Sequence, residues 1–296
     1  MKLLQPGTTT SRGGVLVGTR LLLSTFAVLT ALATYQLLVH AADTEHYFAW
    51  TIQTQLSAGF LGAAFASGCV LSVLALRQDR WSGIRVALVT VTAYTVVALV
   101  ATLIHHHRLH LWDGGLVPRA VAWFWLAVYL VIPFACMLVV RRQGIRRAEA
   151  EPILRPLPDW LVVLLAVEGA VLLAAGVLVF GGGMTVHHEV LAVTGFWPWH
   201  LTPLSAEVIG AWLVSFGVAA AMVIREGDLS RVLVPAVAYT CFGVFELLNL
   251  LWFRTQVAAE DPWMWVYVAV LATIVATGGY GWWAAARRQP GSSAIG

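Results

Sequence analysis

Apolar residues fall in eight long runs separated by short polar breaks: Leu21–Val39, Ile52–Leu76, Ile84–Ile104, Ala120–Val140, Leu161–Phe180, Leu201–Ile224, Val232–Phe253 and Trp263–Trp283. A helix rises ~1.5 Å per residue, so each run is long enough to cross the ~30 Å hydrocarbon core of a bilayer. Alternating β-barrel patterning is absent, which leaves helices to satisfy the backbone in lipid. The pattern predicts an all-α polytopic membrane protein with eight transmembrane helices. Lys2 and Arg12 precede the first run, and Val39-His40-Ala41 resembles a signal-peptidase site. That run is longer than the ~7–15 apolar residues of a signal peptide, so it reads as a retained span.

Composition agrees. Of 296 residues, 59% are hydrophobic and 11% charged, where a soluble domain carries about 25% charged residues. A soluble enzyme, a disordered chain and a nucleic-acid binder are excluded. The net charge of +3 is no nucleic-acid signal, because the basic residues flank apolar runs; the partner they imply is the lipid bilayer. Cys69, Cys136 and Cys241 lie inside apolar runs and read as small packing residues.

Lys and Arg set the orientation. With a cytoplasmic N-terminus, the inner side holds fifteen of them, among them Lys2, Arg12, Arg20, Arg77, Arg85, Arg141, Arg155, Arg231 and Arg287, and the outer side holds three, Arg108, Arg119 and Arg254. This is the positive-inside pattern of a bacterial cytoplasmic membrane protein with both termini cytoplasmic. Tryptophans sit near span ends, as interfacial anchors do, with Trp212 alone well inside.

The chain also matches itself. Trp50-Thr51-Ile52-Gln53-Thr54-Gln55-Leu56-Ser57-Ala58-Gly59 is similar, with one gap, to Trp199-His200-Leu201-Thr202-Pro203-Leu204-Ser205-Ala206-Glu207. Ala93-Tyr94-Thr95 recurs as Ala238-Tyr239-Thr240, Trp123-Phe124-Trp125 as Trp263-Met264-Trp265, and Arg141-Arg142-Gln143 as Arg287-Arg288-Gln289. This register sets Gly59 against Glu207 and Ala101 against Glu246. The expectation is two four-helix repeats: residues 1–143 with a cytoplasmic N-terminal tail, and residues 160–289. A cytoplasmic linker, 144–159, joins them, and 290–296 form a tail. Four spans per unit is an even number, so the units are parallel and related by a pseudo-two-fold axis along the membrane normal. The small-residue spacings Gly59-x-x-x-Ala63 and Ala206-x-x-x-Gly210 favour close helix approach, placing the second span of each unit at the centre. The paired W-x-L-T-P-L-S-A-x-x-x-G-A segments resemble those of uncharacterised bacterial, chiefly actinobacterial, multi-pass membrane proteins. The second unit fits that pattern better, since the first has Gln53-Thr54-Gln55 where Thr-Pro is usual. The resemblance implies a fold and a location and adds no chemistry.

Three carboxylates fall within spans: Glu168, Glu207 and Glu246. A buried acid costs ~2.5–3.5 kcal/mol at a helix centre on insertion scales, which makes each a functional candidate. Glu207 and Glu246 lie at similar depth on successive spans. Asn249 shares a face with Glu246, and His200, Gln53 and Gln55 stand at the outer ends nearby. Together they are expected to form an outward-facing polar pocket for a small solute or ion. The competing reading is that the acids only pin helices together. Pro203 either kinks its span or starts it; Pro in a first turn is the ordinary case.

All nine histidines fall on the outer side. His105, His106, His107 and His110 are dense enough to suggest a divalent metal such as Zn²⁺ or Cu²⁺, with Asp43, Glu45, Asp113 and Glu189 as oxygen ligands. Haem would need His40 with one of His105–His107. The alternatives are interfacial histidines in place of Lys and Arg, or a pH-sensing surface. Walker A, H-E-x-x-H, G-x-S-x-G and G-x-G-x-x-G motifs are absent, so the chain leans away from enzymes. The function expected is solute or ion handling; the alternatives are a metal- or haem-binding redox component and a non-catalytic scaffold. No cofactor or oligomeric state follows from the chain.

Overall fold

The computed structural model describes residues 14–145, 152–185 and 195–287. His187, His188, Glu189, Arg146, Arg147, Arg288 and both chain ends lie outside them. Among the described residues there are no strands and nine α-helices. These are α1 (Val17–Val39), α2 (Thr44–Tyr47), α3 (Gln55–Leu76), α4 (Arg85–Ile104), α5 (Leu116–Ile145), α6 (Asp159–Thr185), α7 (Pro203–Glu226), α8 (Leu233–Trp252) and α9 (Pro262–Ala286). All but α2 are long and apolar enough to span a bilayer. The protein is an all-α, multi-pass membrane protein.

Capping chemistry moves the helix ends away from the ends of the apolar runs. The second run starts at Ile52, yet α3 starts at Gln55, because Thr54 caps it and accepts from Ser57 N. The sixth starts at Leu201, yet α7 starts at Pro203, whose missing N–H costs nothing in a first turn. Pro203 therefore starts its helix and does not kink it. Pro235 is third in α8, also in a first turn, while Pro133 lies inside a continuous α5. At the other end of α7, Gly227 adopts φ 63°, a left-handed cap that glycine reaches without strain.

Four helices form the centre. Over their apolar windows, 67% of α3 and 61% of α7 is buried, against 28% of α1 and of α5 and 33% of α6 and of α9. Large exposed apolar side chains concentrate on α1, α5, α6 and α9, for example Leu32, Phe134, Val163 and Trp265, and α7 has none. The perimeter is thus the lipid-facing surface. Helix α1 packs on α3, α6 on α7, α5 on α4 and α9 on α8; the two halves cross at α3–α8 and at α4–α7. The α6–α7 seam is closest: a Cβ at Gly176 would lie 2.9 Å from Gly210 O, and one at Gly210 2.7 Å from Gly176 O. Any side chain at either position would drive the helices apart.

The elements recur at a fixed interval. Trp81–Gly83, Arg85–Ile104 and His106–Arg108 return as Leu229–Arg231, Leu233–Trp252 and Arg254–Gln256, each 148 residues on. Contacts recur with them. Trp50 Nε1 donates to Ser205 Oγ at 3.3 Å, and Trp199 Nε1 to Ser57 Oγ at 2.9 Å. Gly14 bridges to Arg80, and Pro156 to Asp228. On this interval the counterpart of Glu246 is Ala98, and Ala101 answers to Asn249. The Ala-Tyr-Thr match had placed that register three residues away, because a short tripeptide identity carries less weight than the helix ends that loop lengths impose.

Candidate functional site

The helix ends carrying His40, His46, His105–His107, His110 and His200 lie on one side of the molecule, here the histidine end. The connections carrying Arg20, Arg77, Arg85, Arg225, Arg231 and Arg287 lie on the other, the arginine end. Each crossing of the halves holds one buried acid near the histidine end.

At the α4–α7 crossing, Glu207 is fully buried in the first turns of α7, ~6 Å along the helix from Pro203. Its Oε1 lies 3.0 Å from Nε2 of His105, the residue that ends α4 and is 3% exposed. Oε2 has no hydrogen-bond partner among the described residues. Gly183 of α6 backs the acid; a Cβ there would lie 2.8 Å from Glu207 Cγ. A carboxyl with one contact and one open oxygen in a buried setting is a costly arrangement.

The α3–α8 crossing holds Glu246, also fully buried, and here the acid is saturated. Asn249 Nδ2 donates to its two oxygens at 3.3 and 3.1 Å, and Tyr267 Oη to Oε1 at 2.8 Å. Asn249 also donates to Leu56 O at 3.2 Å. The amide occupies the space a side chain would need at Gly59, so a Cβ there would collide with it. Glu246 and Asn249 share a face, as their spacing implies. The bonds found for Glu207 and Glu246 belong to separate clusters, one at each crossing.

No family model, curated protein or solved structure matches this chain. Its chemistry must therefore be read from the geometry.

Above the crossings, at the histidine end, lie two cavities, the first mainly polar and the second of mixed lining. One, of about 370 Å³, is lined by Thr51, Gln53, His107, His110, Asp113 and Thr202 among others. The other, of about 400 Å³, is lined by Thr54, Trp199, His200, Gln256 and Asp261 among others. Gln55 hydrogen-bonds Gln256 beside the second. The first cavity connects downward through rings: His107 lies on its wall, the His107 and His105 centroids are 5.8 Å apart, and His105 meets Glu207.

The four candidate metal histidines take different directions. His105 turns inward to Glu207. His106 is exposed, with Nδ1 3.0 Å from Leu103 O. His110 lies with Nδ1 3.2 Å from Phe48 O and Nε2 3.0 Å from Thr51 Oγ1. No group of three or more His, Cys, Asp or Glu converges among the described residues. The His107 ring lies 5.8 Å from that of His105 and 5.9 Å from that of His106, edge-on to both. His40 stacks on Tyr47 at 3.9 Å. His46 meets Asp43 at 2.6 Å; that bond and the Asp43 charge raise its pKa above 6.5.

Sequence reasoning missed Tyr267 and the His105–Glu207 contact. A tyrosine inside an apolar span was a usable signal, since its hydroxyl needs a partner. The His105–Glu207 contact joins residues 102 apart and had no local signal.

Proposed function

We propose that the protein binds a small polar solute or cation in the cavity lined by Gln53, His107 and His110, and that the His105–Glu207 pair beneath it exchanges a proton as that ligand comes and goes. The observation that carries this reading is the open oxygen of Glu207. Both oxygens of Glu246 accept hydrogen bonds, whereas Glu207 Oε2 has no partner among the described residues and Oε1 meets the His105 imidazole. His107 supplies a group between cavity and pair. The histidine end faces outward in this reading, supported by the fifteen-to-three distribution of basic residues. A reporter fused after Gln143 should then be cytoplasmic and one near Gly114 external; the reverse pattern would invert the orientation. We also propose that the halves are duplicated units in parallel orientation, on the strength of the 148-residue recurrence.

The test is infrared difference spectroscopy of the protein in bilayers across a pH step. A carboxyl band should change, disappear in Glu207→Gln and survive in Glu246→Gln. A thermal-stability screen of inorganic ions and small polar solutes should then yield ligands that stabilise wild type and Glu246→Gln but not Glu207→Gln. A ligand stabilising all three proteins equally would remove Glu207 from the mechanism.

A further inference from the structure

The second cavity at the histidine end repeats the first with its charge changed. On the 148-residue interval of the helices, Thr54 and Leu56 of the second answer to Thr202 and Leu204 of the first. Gln256, Ala258 and Asp261 answer to Arg108, His110 and Asp113. Trp199 answers to Trp50 across the one gap in the sequence match. Each cavity therefore takes a tryptophan and an acid from one half, and the start of a central helix, α3 or α7, from the other. The acid is kept in both. The Arg and His that share its wall in the first cavity are an amide and a methyl in the second.

Asp261 thus lines a cavity that has no Lys or Arg in its walls among the described residues. The acid is held in place as the N-cap of α9, where its Oδ1 accepts from Trp263 N at 2.9 Å. A carboxylate has two oxygens and about four acceptor sites, so capping leaves it able to meet a ligand.

The aromatic wall is rigid. Trp197 and Trp199 both line the cavity. Their rings are 5.1 Å apart at 73°, and Tyr267 packs against both, at 5.6 and 5.3 Å. Trp199 Nε1 donates to Ser57 Oγ and Tyr267 Oη to Glu246, so the indoles are fixed before a ligand arrives. Trp50 is buried in the first cavity, whereas Trp199 is half-buried, so the second presents more indole surface.

The space is about 400 Å³, within the ~300–1,000 Å³ of small-molecule sites. Leu56, Trp197 and Pro198 on its walls are buried, while His200, Gln256 and Ala258 are exposed. The cavity is therefore reached past exposed residues at the histidine end.

We infer that this second cavity binds a quaternary ammonium group, with the methylated nitrogen against the Trp197 and Trp199 rings and its charge met by Asp261. Charge complementarity selects a cation, because the acid keeps its place while the basic residues of the twin cavity are gone. The indoles select its kind: a quaternary ammonium has no N–H to donate, wears its charge on an apolar shell and is attracted by aromatic faces. The site is independent of the His105–Glu207 pair.

The test is calorimetry of the full chain in nonionic detergent with choline, with dimethylbutanol, its uncharged carbon isostere, and with dihexanoylphosphatidylcholine, a soluble lipid that carries the same group. Choline should bind saturably, and the isostere at least tenfold more weakly. Tighter binding of the lipid than of choline would make the source a membrane head group, and weaker binding a free solute; both support the site. Asp261→Asn keeps a capping side chain, removes the charge and should weaken choline at least tenfold. Gln256→Arg puts the basic residue of the first cavity beside an intact Asp261. It should weaken choline as much, and it decides the matter if Asp261→Asn does not fold. Thermal unfolding establishes folding for each variant. Absence of saturable binding of both choline and the lipid, equal affinity for choline and the isostere, or unchanged binding by either folded variant would overturn the site.

Discussion

The two crossings of the halves are built on corresponding helices and filled by opposite means. At α4–α7 the acid sits on α7 and reaches a histidine that ends α4. At α3–α8 the position corresponding to Glu207 is Gly59, and the acid sits on α8, where Asn249 and Tyr267 saturate it and the amide fills the space above the glycine. Both oxygens of Glu246 are filled, although Asn249 Oδ1 has no partner among the described residues, and a carboxyl held at both oxygens favours one arrangement of helices. At the other crossing, one oxygen of Glu207 meets His105 and the second has no partner among the described residues. The comparison teaches that a buried acid is not by itself a functional signal. The two acids differ in how fully their oxygens are bonded, and sequence shows the acid without showing its partners.

Removing His105 should have the largest effect. His105→Ala removes the partner that Glu207 has among the described residues, and breaking a buried pair this way costs ~3–5 kcal/mol. Asn249→Ala should cost less, ~1–3 kcal/mol for a lost buried bond, because Tyr267 still donates to Glu246. Thermal and denaturant unfolding in one detergent would rank the two. If Asn249→Ala proves the more damaging, the assignment of locked and open crossings is reversed.

The second prediction probes the glycine that makes the locked crossing possible. Gly59→Ala puts a methyl where the Asn249 amide sits, an overpacking worth ~1–3 kcal/mol. Adding Asn249→Ala clears the space, so the double variant should be more stable than the sum of the single effects predicts. Contacting residues typically couple by ~0.5–3 kcal/mol, which a double-mutant cycle resolves. Strict additivity would mean that Gly59 and Asn249 are not in contact.

Much of this architecture was legible in the chain because the driving force is coarse. Eight spans follow from apolar length, since lipid admits little else. Their starts differ by two or three residues, where Thr54 caps α3, Pro203 opens α7 and Asp159 opens α6, features that hydropathy does not see. The Glu246–Asn249 contact was legible because helical periodicity dictates it. The His105–Glu207 contact was not, because it depends on how α4 crosses α7, and several crossings bury the same apolar area. The histidine run is a dense local pattern whose rings lie side by side, 5.8 and 5.9 Å between centroids, while no group of three or more ligands converges among the described residues.

The smallest effect lies at the arginine end, where the halves also differ. The second half carries Asp228, where the first carries Arg80 148 residues earlier. Asp228 is buried between the chain entering α6 and the turn after α7. It accepts from Leu154 N at 2.8 Å, Arg155 N at 3.2 Å, and Ser230 N and Oγ at 2.9 and 2.8 Å. Burial alone would raise its pKa, but these donors together outweigh burial and hold it below 3.8. A depressed carboxylate stabilises the fold fully above its unfolded value and loses that contribution as pH falls through the lower, folded value. Stability from this group should therefore be flat above pH 3.8 and decline only below it. Asp228→Asn keeps one acceptor and turns an amide toward the remaining donors, so it should cost ~0.5–1.5 kcal/mol at neutral pH, about one hydrogen bond. It should also flatten the acid limb of the stability profile. Arg80→Ala, at the corresponding place in the first half, should leave that limb unchanged. An acid limb identical in wild type and Asp228→Asn would show that the turn is held by its backbone bonds alone and that the halves are joined at the arginine end in the same way.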